Sequence, residues 1–207
     1  HVGNLAHGLK TPLSVLANEA RQADTAFGQL VNRQTSLMRE QVDHHLTRAR
    51  AAATSNILGA RSEVAPVLGD LKRALMRIYA ERGIEIEIDC PDGLTFRGAR
   101  HDLEEILGNL MDNACKWSAT KVRVRCTRQS ETLTLTIEDD GEGLPEDQRV
   151  EVLKRGRRLD ESVPGTGLGL SIVVDLASLY NGKLELGEAA LGGLQATLIL
   201  PTTEQPL

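Results

Sequence analysis

Residues 121–126 (KVRVRC) and 133–138 (LTLTIE) decide how the chain is read. Val122, Val124 and Cys126 alternate with Lys121, Arg123 and Arg125; Leu133, Leu135 and Ile137 alternate with Thr134, Thr136 and Glu138. A period of two sends each set to one face of a strand, as in a sheet packed on one side only. Outward from there, 84–88 (IEIEI) alternates in the same way, and Leu94–Arg97, Lys183–Leu186 and Gln195–Leu200 read as further strands. Between them Val64–Arg82, Asp102–Lys116 and Gly167–Tyr180 take helical spacing. This mixture predicts an α/β sandwich over 59–207, with helices covering one face of a largely antiparallel sheet.

Residues 1–57 follow a different grammar. Leu5, Leu9, Pro12, Leu16, Ala20, Ala23 and Phe27 recur every three or four positions, the apolar stripe of a bundle helix. Val31, Met38, Val42, Leu46, Ala49 and Ala53 make a looser second stripe. Two helices joined near Asp24–Gly28 form an antiparallel hairpin, which cannot bury both stripes alone. A dimeric four-helix bundle completes it, and a monomeric hairpin packed on the second domain is the alternative. Residues 56–63 (NILGARSE) lose the pattern and read as a linker, so the expected domains are 1–58 and 59–207.

Composition narrows the function. A net charge of −5 with no basic excess argues against a nucleic-acid partner. Three cysteines, odd in number and without CxxC spacing, argue against a disulfide framework or zinc site and fit a reducing compartment. No apolar run approaches the ~18 residues of a membrane span, so the reading is of a soluble piece. It begins abruptly inside a helical pattern, as something cut from a longer chain would.

On the first helix His7 lies roughly opposite the apolar stripe, with Thr11 one turn away on the same side. A lone surface histidine would mean nothing. Pro12 and Gly8 both weaken the helix beside it, as at a site that must flex; a helix that starts near Pro12 explains the proline equally well. Residues 6–13 (AHGLKTPL) resemble the H box of HisKA-type histidine kinases, most closely the PhoQ-like subgroup. The resemblance implies that His7 is the phosphoacceptor and that Thr11 positions the water that dephosphorylates a response regulator. The acidic residue usual after the histidine is absent, and Gly8 stands in its place.

The helix Asp102–Lys116 carries Glu105, Asn109, Asn113 and Lys116 on one face and Leu103, Ile106, Leu107, Leu110 and Ala114 on the other. An ordinary amphipathic helix has that form, yet two asparagines one turn apart are poor helix formers that need a reason. Asparagine carbonyls suit Mg²⁺ shared with phosphates. Strand 133–138 runs into Asp139-Asp140-Gly141-Glu142-Gly143, either a common glycine turn or a floor for close approach. Gly165-Thr166-Gly167-Leu168-Gly169 opens a helix whose N–H groups would cradle phosphate, weak evidence by itself.

In this order the three segments resemble the N, G1 and G2 boxes of the GHKL ATPases, with 108–117 (GNLMDNACKW) matching PhoQ-like kinases nearly position for position. The resemblance implies a Bergerat-type sandwich binding ATP and Mg²⁺. Asn109 would hold the metal; Asn113 and Lys116 would meet the phosphates, and Glu105 takes the acidic position before the box. Asp139 would accept from the adenine amino group beside Gly141 and Gly143, and Gly165, Thr166, Gly167, Leu168 and Gly169 would line the phosphates. Residues 152–164 would be the ATP lid, of which VLKRGRRLD resembles the PhoQ-like lid most, with Arg157 or Arg158 reaching the phosphates, and Gly192 and Gly193 resemble a further glycine box. Trp117, the sole tryptophan, belongs either to this site or to the core. The expected activity is autophosphorylation of His7 and transfer to a response-regulator receiver domain, in a homodimer, cytoplasmic and tied to the inner membrane through an upstream sensor. The rivals are a GHKL ATPase that moves domains and a scaffold with a vestigial pocket.

Overall fold

The computed structural model describes residues 60–153 and 169–202 continuously, with residues 16, 25, 27–31, 34, 35, 38 and 42 before them. The chain divides into two compact units, 1–54 with 164–166, and 55–163 with 167–207. In the first, a helix is under way at Phe27: the Gly28 N–H donates to Thr25 Oγ1 at 3.1 Å, an N-cap bond of the kind threonine favours. Leu16, Phe27, Leu30 and Met38 lie exposed, Phe27 by 73%.

In the second unit β1 (Ser62–Glu63) precedes α1 (Val64–Ile78). β2 (Glu85–Asp89), β3 (Thr95–Phe96), α2 (Arg100–Trp117), β4 (Lys121–Gln129) and β5 (Thr132–Asp139) follow. α3 (Glu146–Val152), α4 (Gly169–Leu179), β6 (Lys183–Glu188) and β7 (Leu194–Pro201) complete the described elements. Five strands form one sheet in the order β2-β4-β5-β7-β6. Only the β2–β4 pair is parallel; the others are antiparallel. The sandwich of helices on a largely antiparallel sheet is therefore present.

Alternation sorts the faces. Opposed residues share a face, so Val124, Ile137 and Ala196 line up across three strands, and Cys126, Leu135, Leu198 and Leu184 across four. These side chains are buried under α1, α2 and α4. α2 lies between α1 and α4 and buries Leu103, Ile106, Leu107, Leu110 and Ala114, the apolar stripe read from the sequence, together with Met111. The other face of the sheet carries Glu87, Lys121, Arg123 and Glu138 in ion pairs.

Two expectations need correction. Ser62–Glu63, read as linker, pairs with Thr95–Phe96, and Ser62 Oγ donates to the Gly98 carbonyl at 2.8 Å. The helix read as Val64–Arg82 ends at Ile78, because the chain tightens into a 3₁₀ turn over Ala80–Arg82 and leaves through Gly83 at φ 62°. No helix among the described residues is long and apolar enough to cross a membrane.

Candidate functional site

The site begins at the end of β5. Asp139 shares the parity of Leu135 and Ile137, so its carboxylate enters the helix-covered side and is only 3% exposed. Its Oδ1 accepts from the Gly141 N–H at 3.0 Å and the Leu194 N–H at 3.2 Å. Burial pushes its pKa up, and the two N–H bonds oppose that rise. Oδ2 takes no hydrogen bond from the described residues, which leaves one acceptor unused.

Glycines crowd this carboxylate for a steric reason. A Cβ on Gly193 would fall 2.1 Å from Asp139 Oδ1, and one on Gly141 would fall 2.1 Å from the Trp117 carbonyl oxygen. Gly143, at φ +70°, packs against the Gly193 carbonyl. Gly192 and Gly193 form the β6–β7 turn, and the Gly193 N–H donates to the Asp139 carbonyl at 3.1 Å.

α2 supplies the second wall. Asn109 Nδ2 donates to the Glu105 carbonyl at 2.7 Å, which fixes the amide. Its Oδ1 then lies 3.0 Å from where a Cβ on Gly169 would sit, so the N-terminal end of α4 meets an amide oxygen. Asn113, one turn on, is half-buried and makes no side-chain hydrogen bond among the described residues. Lys116 pairs with Asp112 at 2.5 Å, and the Tyr79 hydroxyl donates to the other Asp112 oxygen at 2.8 Å. Glu105 is half-buried on the same face. Trp117 is 44% exposed, which removes the core reading of its ring.

A family model described as histidine kinase-, DNA gyrase B-, and HSP90-like ATPase matches residues 98–204. The chain belongs to this ATPase family. It is 38% identical over 97% of its length to the sensor protein kinase CarS of Pseudomonas aeruginosa, and 33% identical over 95% to the sensor protein PhoQ of Escherichia coli. It spans 45% and 42% of those two proteins, less than half of each. The solved mycobacterial sensor histidine kinase MprB covers 70% of the chain at a TM-score of 0.61 and 29% identity, with 99% of that structure matched.

In this ATPase-family chain the proposed residues fall into three groups. Asp139, Gly141, Gly143 and Gly193 converge, and Asn109 meets Gly169. Glu105, Asn113, Lys116 and Trp117 share α2 with Asn109. His7, Thr11, Arg157, Arg158, Gly165, Thr166, Gly167 and Leu168 lie outside the described residues.

Sequence reasoning missed the supports. Asp140 accepts from the N–H groups of Ala119, Thr120 and Lys121 at 2.8–3.1 Å and from the Thr120 hydroxyl at 2.7 Å. Burial alone would raise its pKa, but these bonds outweigh it and hold the carboxyl at about 2. The Arg82 guanidinium caps α2 through the carbonyls of Cys115, Lys116 and Ser118 at 2.5–2.9 Å. Asp102 is fully buried and accepts from the Tyr180 hydroxyl, 78 residues away. An acidic first turn gives no hint of that burial, since exposed acids there favour a helix start equally.

Proposed function

We propose that the chain is the catalytic half of a sensor histidine kinase, which binds ATP with Mg²⁺ and phosphorylates its own His7. The observation that carries the reading is the Asp139 carboxylate, buried with no cation beside it among the described residues, anchored through one oxygen and left with an unused acceptor between close-packed glycines. Such a group suits an amino donor on a planar base. The amide oxygen of Asn109 beside Gly169 suits a hard cation shared with phosphates. Bound Mg²⁺ would offset charge on the phosphoryl oxygens.

The reaction forms a bond between a His7 ring nitrogen and the γ-phosphorus and breaks the bond to the departing ADP oxygen. The phosphoimidazole then donates to an aspartate of a response-regulator receiver domain. Thr11, one turn from His7, would orient water in the reverse, phosphatase reaction. Leu16, Phe27, Leu30 and Met38, exposed in a single chain, support a homodimer through the N-terminal unit. The relatives are named as sensor proteins, which supports a cytoplasmic place for this part of an inner-membrane sensor.

Incubation with γ-labelled ATP tests the reading. Label should be acid-labile, absent from His7→Gln, and independent of that variant's ATP binding, measured by calorimetry. Label that persists in His7→Gln overturns the assignment of the phosphoacceptor, and failure of the unaltered chain to bind ATP overturns the whole reading.

A further inference from the structure

Two of the three cysteines meet at an edge of the sheet. β2 and β4 run parallel with Ile88 opposite Val124 and Asp89 opposite Arg125, the last pair of the ladder, and one further step in that register would bring Cys90 to Cys126. Adjacent strands lie ~4.7–4.9 Å apart, within the ~4.4–6.8 Å between α-carbons that a disulfide spans. Cys90 follows the last residue of β2, where the backbone is no longer held in the ladder and can adjust. Both thiols are free.

Their surroundings differ in the way a reactive pair requires. Cys126 is 2% exposed on the covered face, and Cys90 is partly exposed. The Cys90 thiol donates to the Pro91 carbonyl at 3.8 Å; the neighbouring Cys126 thiol lowers the Cys90 pKa, against burial and the charges of Asp89 and Asp92, and Cys90 with burial raises that of Cys126. Cys115 provides the contrast: burial lifts its thiol to about 11.

We propose that Cys90 and Cys126 are a peroxide-responsive dithiol that closes to an intramolecular disulfide. The Cys90 thiolate attacks one peroxide oxygen; the O–O bond breaks, one water leaves, and Cys90 becomes a sulfenic acid. The Cys126 sulfur attacks that sulfenic sulfur; the S–O bond breaks, and a second water carries off the thiol proton. Two thiols supply two electrons and the peroxide is reduced to two waters. The bond would pin β2, which among the described strands pairs with β4 alone. Its place is remote from Asp139: Val122 is the partner of Asp139, and Cys126 lies four residues further along β4, ~13 Å away.

The full chain, treated with hydrogen peroxide and then alkylated in denaturant, tests the pairing by mass spectrometry. The monomer should lose about 2 Da and two of its three alkylatable thiols, with the Cys90 and Cys126 peptides joined. Cys115→Ser should leave the cross-link intact, while Cys90→Ser and Cys126→Ala should each abolish it. Retention of all three thiols overturns the proposal. So does oxidation that stops at Cys90 alone or joins two chains.

Discussion

The two faces of the five-stranded sheet obey the same alternation and live in different media. On the covered face Val122, Val124, Leu133, Leu135 and Leu198 are wholly buried, and hydrophobic transfer pays for their order. On the open face Glu87 sits between Lys121 at 2.6 Å and Arg123 at 3.4 Å, and the Lys121 bond lowers its pKa. Asp139 has the chemistry of the open face in the setting of the covered one, and burial moves its pKa the opposite way. A carboxylate kept there against its desolvation cost argues for a ligand rather than for folding.

Substitutions on each face can break or sharpen that contrast. Leu135→Ala, in the middle of the covered face, should cost about 2–5 kcal/mol in denaturant unfolding; a loss below 1 would mean that the covered face is not the core. Asp139→Asn keeps an oxygen for the two N–H groups but presents a donor where the carboxylate leaves an unused acceptor. ATP affinity, measured by calorimetry, should fall at least about tenfold while the fold stands. Unchanged affinity would place the nucleotide elsewhere.

Asp140, one residue beyond Asp139, should behave oppositely. Its folded-state pKa of about 2 lies below the ordinary 3.8, so the unfolded chain binds this proton more readily. The stability it contributes is complete above about pH 4 and is lost as pH falls through about 2. Asp140→Ala should cost about 1–3 kcal/mol at neutral pH and flatten the acid side of the stability profile. The smallest effect belongs to the open face: Lys183→Ala, which removes an exposed partner of Glu185, should change stability by less than about 1 kcal/mol.

Much of this was legible beforehand. The runs at 121–126 and 133–138 became β4 and β5, and the polar and apolar stripes of α2 emerged with the assigned sides. The parity of Leu133, Leu135 and Ile137 extends to Asp139, so its inward direction is written in the strand itself. β1 was not legible, because two residues carry no period and its partner lies over 30 residues away. α3 was not read as a helix; at seven residues it completes barely two turns. Arg82 gave no sign of capping α2, since arginine close to the end of a helical run has many ordinary uses.

Residues two to four apart determine which face a side chain takes, and this chain's sequence settled its longer strands and helices and their stripes by that local rule. What stands opposite a side chain depends on strand register and helix docking, which join residues far apart in the chain. Tertiary structure alone therefore decided that Gly193 closes on Asp139, that Asn109 meets Gly169, that Tyr180 reaches Asp102 and that β2 pairs with β4, which brings the end of β2 toward Cys126. Burial and proximity set the pKa of each carboxyl and thiol, and neither is a property of composition.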